Sequence, residues 1–550
     1  MYVFLGDESM TVEEKILEFI VEMDYLNNEH VLGILFYGSY LTGFNTNNSD
    51  IDLHIIFDDE DKDHLIRGNK IIDGTRIEYF EKPLSDIYLT IDSDYQNQNN
   101  AAVTIFGNSK IIYDKDDNLN KLQQYVMTKF KSPLPPLSDN EAKEQVSIIN
   151  NRMEKLENYA TSNNPYFTHL YHLTVDKIRR FYHSVMGFPR IETAKGFKLY
   201  TNEEYRKAFC IERIPEDEFI SSYFEAISNK QLSNVELYQL LNSIYDFTKR
   251  NISLNKEEHR IPIKSRNIGF TSTIIKPTVI KSKTSIPVPP STREKVLHFI
   301  NSMGYLNDDN CLGVVVYGSS LTGFNTAISD IDLHVLFDDD EKELIRGCKI
   351  VDGCKIEYFE KPISDIYLST ENGYLNQNNA FFAMIGKGTI IYERDNQLSL
   401  LQQYICDRFL EPMPALSEEE KKEQVSIINN KMEKLEALAL DDSPLFDHYY
   451  HLTVDKIRKF YHKSSGLSKI QTSKVYRIYT DEEYRQSMYK EAPEPEFIEM
   501  YLNLITTEST DKLEKLQMVT DFFDYTTRNI NLNDEYRILI KSRNVPQDMN

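Results

Sequence analysis

The chain is a tandem duplication of one sequence unit. KEQVSIINNRMEKLE at 143–157 returns at 422–436 with one mismatch, and HLTVDKIR at 172–179 returns unchanged at 451–458. The offset between matching segments stays between 277 and 280 residues along the whole chain. A unit of about 270 residues is long enough to bury its own core, unlike the short units of solenoid proteins. We therefore predict two similar globular halves.

The overall charge of the chain restricts its partners. Its 550 residues carry a net charge of −24, and the pI is near 5.0. Uniform acidity repels phosphates, so a nucleic-acid partner is disfavoured. The same charge favours a cationic substrate or a divalent metal, although an acidic surface also serves simply to keep a protein soluble.

Cysteine usage and hydropathy predict a cytoplasmic protein. The five cysteines are odd in number and include no CxxC pair, which is typical of a reducing compartment without disulfides or a structural zinc site. The first residues lack the basic start and apolar run of a signal peptide. No window approaches the roughly 18 apolar residues of a membrane span. We therefore expect cytoplasmic localisation and no membrane partner.

Each half changes once from strand patterns to helix patterns. Short apolar runs and an Asp-Gly turn predict an α+β head at 1–117 and again at 293–396. Helical patterns follow, which predict a helical domain at 118–267 and at 397–550. Residues 268–292 are rich in Pro, Ser, Thr and Lys and are predicted to link the two halves.

One predicted strand of each head carries two carboxylates on the same face. In SDIDLHIIF, Asp50 and Asp52 point to one face and the apolar residues between them to the other; Asp330 and Asp332 repeat this pattern. Two neighbouring carboxylates repel each other, so a fold tolerates them when a cation lies between them. Oxygen ligands on a rigid strand suit Mg²⁺, which takes its other ligands from water and phosphate.

A third acid lies on a later predicted strand. Glu78 in TRIEYF and Glu357 in CKIEYF are each flanked by apolar residues. A hairpin partner strand can bring this glutamate beside the two aspartates. Three carboxylates on adjacent strands make a two-metal site plausible, in which one metal holds a triphosphate and the other lowers the pKa of an attacking hydroxyl.

A Gly-Ser pair stands ahead of the two aspartates in both halves. Gly38 and Ser39, like Gly318 and Ser319, directly follow an apolar strand. Glycine permits close backbone approach, and the serine is predicted to cap a short helix whose free N–H groups seat a phosphate. The order of strand, Gly-Ser, helix, Asp-x-Asp strand and Glu strand therefore predicts a pocket for a triphosphate and a metal.

These motifs resemble the nucleotidyltransferases of the DNA polymerase β superfamily. The head followed by helices is similar to the minimal nucleotidyltransferases and to kanamycin nucleotidyltransferase and its relatives. The resemblance implies a mixed sheet with flanking helices followed by a helical bundle, Mg²⁺ at two ions per site, and transfer of a nucleoside monophosphate from an NTP to a hydroxyl with release of pyrophosphate. It implies catalytic roles for Asp50, Asp52, Glu78, Asp330, Asp332 and Glu357, metal binding by the four aspartates, and nucleotide binding by Gly38, Ser39, Gly318 and Ser319.

The helix HLTVDKIRRFYH, repeated as HLTVDKIRKFYH, offers candidates for the rest of the site. Asp176 and Lys177, with Asp455 and Lys456 in the second half, are predicted as general base and phosphate contact. In relatives of the kanamycin enzyme such groups come from the helical domain, sometimes from the other subunit of a dimer. The alternative is that Asp176 forms a surface ion pair with Arg180, four residues on.

Both halves close on a basic segment, EEHRIPIKSRN in the first and DEYRILIKSRN in the second. These residues bind phosphate or form a strand end with solvated basic side chains, and both readings stay open. The residues concerned are Arg260, Lys264, Arg266, Arg537, Lys541 and Arg543.

The leading hypothesis is a tandem nucleotidyltransferase that moves AMP from ATP onto a hydroxyl of a small acceptor, such as an aminoglycoside-like antibiotic. Both halves keep all five signature residues, so we expect two competent sites in one chain. The fused halves can stand in for a homodimer in which each helical domain faces the other head, and the chain itself is then a monomer. The alternatives are nucleotidylation of a protein or tRNA, synthesis of a nucleotide signal, and a non-catalytic module that senses nucleotides.

Overall fold

The first half contains a sheet-based head and a set of helices. The computed structural model describes residues 10–46, 49–59, 65–228, 231–267, 269–277, 287–322, 330–488 and 491–541. The strands of the first head are Val31–Tyr37 (β1), Ile51–Phe57 (β2), Ile66–Ile72 (β3), Thr75–Pro83 (β4) and Lys110–Asp114 (β5). Its helices are Val12–Glu22 (α1), Ser39–Thr42 (α2), Leu84–Gln96 (α3) and Asn118–Phe130 (α4). Then follow Asp139–Thr161 (α5), Phe167–Met186 (α6), Thr193–Thr201 (α7), Glu203–Ala208 (α8), Asp217–Ser228 (α9), Asn234–Thr248 (α10) and the short strand His259–Pro262 (β6).

The second half repeats this order of elements. Its head contains Pro290–Ser302 (α11), Cys311–Tyr317 (β7), Ser319–Thr322 (α12), Ile331–Phe337 (β8), Ile345–Val351 (β9), Cys354–Pro362 (β10), Ile363–Leu375 (α13), Thr389–Glu393 (β11) and Gln397–Arg408 (α14). The remaining elements are Glu418–Leu440 (α15), Phe446–Ser464 (α16), Val475–Thr480 (α17), Glu482–Met488 (α18), Pro495–Thr506 (α19), Lys512–Thr527 (α20) and Tyr536–Leu539 (β12).

Local sequence signals account for several of these elements. Asp73 and Gly74 have φ of 44° and 69°, the left-handed values that a two-residue hairpin turn between β3 and β4 requires. Ser138 and Glu141 form the predicted capping box at the start of α5, where Glu141 N–H donates to Ser138 Oγ at 3.4 Å. Buried positions on both faces of β2 explain its nearly continuous apolar run.

Each head is built on a mixed six-stranded sheet, which confirms the predicted α+β class. The strand order is β12-β3-β4-β2-β1-β5 in the first sheet and β11-β7-β8-β10-β9-β6 in the second. The central pair β2 and β4 is parallel, as is the equivalent pair β8 and β10, and the other pairs are antiparallel. The parallel pair carries the carboxylates identified in the sequence.

The two halves exchange their last strands. β6 of the first half pairs with β9 of the second head, and β12 of the second half pairs with β3 of the first head. Arg260 Nη2 lies 2.6 Å from Glu360, and Arg537 Nη2 lies 2.8 Å from Glu81, so each exchanged strand neutralises a fully buried glutamate of the other half. The closing segments thus contain strands, as one reading predicted, and Arg260 and Arg537 bind carboxylates. Arg543 lies outside the described residues.

The helical regions of the two halves share one hydrophobic core. Buried side chains of α5, α6, α9 and α10 form a single cluster with those of α15, α16, α19 and α20. At its centre, His169 Nδ1 lies 3.0 Å from His451 Nδ1, and the equivalent pair His172 and His448 is 3.3 Å apart. These reciprocal contacts relate α6 and α16 by a pseudo-twofold axis.

Each head is also fastened to its own helices. Gln98 Nε2 donates to the carbonyl oxygens of Pro135 and Ser184 at 2.5 and 2.8 Å. Gln377 repeats the arrangement in the second half, with Lys463 O at 2.8 Å. Since the exchanged strands tie each head to the opposite half as well, the heads are held between both helical regions.

No helix in the described part of the chain is long and apolar enough to cross a membrane. In the predicted linker, residues 269–277 form no regular element and α11 already begins at Pro290, whereas 268 and 278–286 lie outside the described residues.

Candidate functional site

The parallel strand pair brings the predicted carboxylates together. Asp52 is the register partner of Glu78 across β2 and β4, and Asp332 is the partner of Glu357 across β8 and β10. Paired residues of neighbouring strands point to the same face of a sheet. Asp50 immediately precedes β2, two residues from Asp52, and therefore shares that face.

The glycine of each Gly-Ser pair lies directly against the second aspartate. A Cβ at Gly38 would stand 2.0 Å from Asp52 Oδ2, and one at Gly318 would stand 2.5 Å from Asp332 Oδ2. Both glycines also have positive φ, 88° and 86°, which other residues rarely adopt. Only glycine therefore fits between β1 and α2 without displacing the aspartate.

The expectation that Ser39 caps this helix is wrong. Gly38 is the N-cap and Ser39 is the first residue of α2, with no side-chain capping hydrogen bond. The positive φ needed to place the chain beside Asp52 occupies the N-cap position, so glycine rather than serine stands there. Nucleotide binding by these residues stays a prediction.

The aspartates lie in an environment that opposes their charge. Burial, followed by repulsion from Asp50 and Glu78, raises the pKa of Asp52 well above its ordinary value. In the second head, burial and then Glu357 raise the pKa of Asp332 to about 7. A carboxylate in this state gains from any cation that binds next to it.

In the first site two arginines neutralise the carboxylates. Arg67 donates from Nε to Glu78 Oε1 at 2.9 Å and also from Nη2 to the same oxygen. Arg76 Nη2 lies 3.5 Å from Asp50 Oδ2 and makes a bidentate pair with Glu433, at 2.6 and 2.8 Å. Burial, although partly offset by Arg67, leaves the pKa of Glu78 raised.

In the second site a lysine takes the place of Arg76. Lys355 Nζ lies 3.1 Å from Asp330 Oδ2 and 2.9 Å from Glu357 Oε1. Arg346, the counterpart of Arg67, lies 3.6 Å from Glu357. Burial alone would raise the pKa of Glu357, but Lys355 and then Arg346 hold it below its ordinary value.

Each site is completed by a helix of the other half. Glu433, which binds Arg76 of the first head, belongs to α15 of the second half. Asn151 of α5 donates from Nδ2 to both carboxylate oxygens of Glu357 in the second head, at 3.1 and 3.2 Å. The two candidate sites are therefore composite.

Two lysines, one from each half, act on the buried aspartate of each site. Burial and the charges of Asp50 and Glu78 have the largest effects on the pKa of Asp52. Lys195 of the first half and Lys434 of the second come next, and both lower this pKa. Asp332 is influenced equivalently by Lys474 and Lys155. Burial lowers the pKa of Lys155 to about 8, as expected for an ammonium group withdrawn from water.

Sequence reasoning missed these lysines. Lys155 and Lys434 lie within the near-identical segments 143–157 and 422–436, which served only as evidence of duplication. The retention of a basic residue at one position in both halves was the available signal. The side of the helix that meets a head was not readable from it.

A cavity of about 650 Å³ adjoins the carboxylates of the first head. Asp50, Glu78 and Arg76 line it from the head, and α15, α20 and the segment leading into β12 line it from the second half. Six acidic side chains and one basic side chain line this cavity, including Glu436, Asp524 and Asp534 of the second half. We call it the acidic cavity.

The predicted groups of α6 and α16 face a different cavity. Asp176 binds Arg179 at 2.8 Å and Arg180 at 2.6 Å. Burial opposes the charge of Asp176, but these two guanidinium groups hold its pKa well below the ordinary value. Lys177 Nζ donates to Gln145 Oε1 at 2.6 Å. The ion pair with Arg180 that the alternative reading predicted is therefore present. Asp455 and Lys456 repeat the arrangement with Arg458, Lys459 and Gln424.

Two family models of nucleotidyltransferases match the chain, one in each half. The family model described as polymerase beta, nucleotidyltransferase matches residues 23–118, and the model described as nucleotidyltransferase domain matches residues 305–438. Among solved structures, the nucleotidyltransferase-like protein from Exiguobacterium sibiricum 255-15 is 13% identical, with 43% of this chain and 74% of that chain covered and a TM-score of 0.27. None of the curated proteins matches the chain.

Proposed function

Because the chain carries two nucleotidyltransferase domains of the polymerase β superfamily, we propose that it transfers a nucleoside monophosphate, AMP from ATP, to a hydroxyl of a small cationic acceptor. The observation that carries the acceptor class is the acidic cavity beside Asp50 and Glu78. An excess of carboxylates in a partly enclosed cavity attracts cations and repels nucleic acid. An aminoglycoside-like antibiotic has the required hydroxyl and ammonium groups.

The proposed reaction exchanges one phosphoester bond for another. The acceptor oxygen bonds to the α-phosphorus of the NTP, and the bond to the bridging oxygen of the β-phosphate breaks, so that pyrophosphate leaves. We assign Glu78 to receive the hydroxyl proton, since its raised pKa makes it a better base than an ordinary glutamate. Lys195 and Lys434 are assigned to the phosphates of the NTP, because a compact ammonium group suits phosphate oxygens.

We further propose that Mg²⁺, at two ions per site, serves the reaction. As the side chains stand, no three His, Cys, Asp or Glu groups of the described residues converge on a single ion position. The donor set that fits is an aspartate pair, Asp50 with Asp52 or Asp330 with Asp332, together with phosphate oxygens, as is common for Mg²⁺. Burial and neighbouring carboxylates raise the pKa of Asp52 and Asp332, so a bound cation would stabilise their charged forms. Bound Mg²⁺ supplies charge stabilisation to the phosphates and lowers the pKa of the acceptor hydroxyl.

The composite sites support a pseudo-dimer within one chain. Glu433 and Asn151 each cross from one half to the head of the other, and the exchanged strands hold this arrangement. We therefore propose a monomeric chain with two turnover sites. A cytoplasmic location is proposed on the five free cysteines, which suit a reducing compartment.

The experiment is a transfer assay with each NTP, Mg²⁺ and a panel of hydroxylated acceptors. We expect pyrophosphate release and a mass gain of one nucleoside monophosphate on a cationic acceptor. Asp52→Asn with Asp332→Asn should abolish both signals, whereas the matched control Asp116→Asn with Asp395→Asn should not, since both controls are exposed at a φ of 58° that Asn tolerates. NTP binding without transfer to any acceptor would refute the enzyme and favour a nucleotide sensor.

A further inference from the structure

A second, larger cavity of about 1120 Å³ lies on the pseudo-twofold axis. Its lining includes equivalent residues of both halves: Lys177 with Lys456, and Arg180 with Lys459. None of the six carboxylates assigned to the catalytic sites, Asp50, Asp52, Glu78, Asp330, Asp332 and Glu357, lines it. We call it the dyad cavity, and it is distinct from the acidic cavity.

The dyad cavity reverses the charge of the chain as a whole. Ten basic and six acidic side chains line it, although the chain has a net charge of −24. Both buried aspartates of the lining, Asp176 and Asp455, are already neutralised by basic residues of their own helices. Positive charge therefore remains in excess in an otherwise acidic protein.

Several of these basic groups have no carboxylate partner. No carboxylate of the described part of the chain lies within 4 Å of Arg152, Lys177, Arg190, Arg266 or Lys456. Lys177 and Lys456 instead donate to the amide oxygens of Gln145 and Gln424, which carry no charge. These cations have no carboxylate in direct contact, although Glu144 and Glu423 act on Lys177 and Lys456 from a longer distance. An anion that joined them would relieve their mutual repulsion.

Mutual repulsion in the cavity agrees with this reading. Burial and then Arg152, Arg180 and Arg190 lower the pKa of Lys177 to about 8. Burial and then Lys431, Lys463 and Lys459 lower the pKa of Lys456 to about 8. An anion between these groups would raise both values again.

We propose that the dyad cavity binds a compact, phosphate-rich anion, such as inorganic pyrophosphate or the polyphosphate chain of a nucleotide. Guanidinium and ammonium groups from both halves converge there, and multiply charged phosphate oxygens are the acceptors that such groups bind most strongly. The volume suits a small molecule and not a nucleic-acid strand.

The position of the cavity makes both catalytic sites its neighbours. Glu192 lines the cavity, and its carboxylate accepts a hydrogen bond from Lys434 Nζ at 2.9 Å. Lys434 in turn lowers the pKa of Asp52. Thr472 lines the cavity two residues before Lys474, which acts on Asp332. An anion bound in this cavity is therefore placed near lysines that act on both sites.

Calorimetric titration with inorganic pyrophosphate, without divalent metal, tests the site independently of turnover and hence of the proposed function. The chain is first given Lys155→Met, Lys195→Met, Lys434→Met and Lys474→Met, which removes all four lysines that act on the aspartates of the catalytic sites. We expect one pyrophosphate per chain, weakened about tenfold or more when Lys177→Met and Lys456→Met are added. Adding Lys121→Met and Lys207→Met instead, an equal charge change at exposed lysines that do not line the cavity, should leave the affinity unchanged.

Unchanged affinity on loss of Lys177 and Lys456, or no binding at all, would overturn the proposal. If those variants fail to fold, Arg190→Gln with Arg266→Gln serves the same purpose, because both side chains are exposed at the cavity. Comparison of tripolyphosphate with ATP identifies the source: equal affinity indicates a bare polyphosphate, and tighter ATP binding indicates a nucleotide.

Discussion

The two candidate sites share their acids and differ in their cations. In the first, Arg76 Nη2 lies 3.5 Å from Asp50 Oδ2, and both terminal nitrogens of the guanidinium donate to Glu433. In the second, the Lys355 ammonium lies between Asp330 and Glu357, at 3.1 and 2.9 Å. The second site thus has one cation that bridges two of its carboxylates, whereas in the first site Arg67 contacts Glu78 and Arg76 lies nearest to Asp50.

The contrast shows that near-identical motifs need not give identical chemistry. Burial together with Asp50 outweighs Arg67 and leaves the pKa of Glu78 raised, whereas Lys355 and Arg346 together outweigh burial and lower the pKa of Glu357. We infer that the first site depends more on an added divalent cation, and that the second has the weaker base. The following changes test this contrast, from the largest effect to the smallest.

Single replacement of the central aspartates should separate the two sites. We expect Asp52→Asn and Asp332→Asn each to reduce turnover at its own site by at least about 100-fold, since each removes a charge from the catalytic group. The activity that remains in each single variant is then the share of the other site, measured by steady-state pyrophosphate release. Loss of all activity in either single variant would contradict two independent sites.

The Gly-Ser glycines should differ in their tolerance of a methyl group. Gly38→Ala places Cβ 2.0 Å from Asp52 Oδ2, whereas Gly318→Ala leaves 2.5 Å at Asp332. Both also strain a positive φ, at about 1–2 kcal/mol each. We expect a loss of turnover of about tenfold or more in the first site and a smaller loss in the second, read in the background where the other site is inactive. Equal effects would contradict the tighter packing in the first site.

The raised carboxyl pKa should appear as pH-dependent stability. The folded pKa of Asp332 is about 7 against an ordinary 3.8, so between these pH values the folded chain holds a proton that the unfolded chain has lost. Stability of the metal-free chain should therefore fall as pH rises through this window. Asp332→Asn should raise the melting temperature by a few degrees at pH 8 and much less at pH 5.

Comparison with the parent chain at each pH isolates that effect. His169, buried near the axis, has a pKa that burial lowers to about 3, so it destabilises the folded chain below pH 6.5 in both proteins equally. A difference between parent and Asp332→Asn that does not grow with pH would contradict the raised pKa.

Exchange of the two cationic side chains, Arg76 and Lys355, should have the smallest effect. Arg76→Lys removes the bidentate pair with Glu433, which is worth about 1 kcal/mol, so we expect KM for the acceptor to rise about fivefold in the first site. Lys355→Arg keeps the charge beside Asp330 and should change KM less. If Lys355→Arg raised KM more than Arg76→Lys did, the pair between Arg76 and Glu433 would not be the more important contact, and this prediction would be wrong.

Local features of the fold were readable from the sequence. The Asp-x-Asp alternation, the apolar strands and the Asp73-Gly74 turn are short-range signals, and they predicted that Asp52 and Glu78 lie on neighbouring strands. The expected hairpin between these strands was wrong, because β4 is parallel to β2 and forms its hairpin with β3. The capping box of Ser138 follows from four consecutive residues in the same way. Short-range interactions therefore made the strands and turns of the two heads predictable from the sequence.

Contacts between the halves were not readable to the same degree. Near-identical copies offer the same partners twice, so the sequence cannot distinguish β6 on its own sheet from β6 on the other. The N-cap at Gly38 was missed because it depends on the position of Asp52 in three dimensions. Lys155 and Lys434 were missed because nothing local indicates which head they meet.

The composite nature of the sites is tested most directly by paired variants in the intact chain. Asp52→Asn inactivates the first head, and Lys434→Met or Lys155→Met is then added. If each helix serves the opposite head, Lys434→Met causes no further loss, because the site it serves is already inactive. Lys155→Met then lowers the remaining turnover about 100-fold. If Lys434→Met causes that loss and Lys155→Met does not, each half serves its own head and the account is wrong.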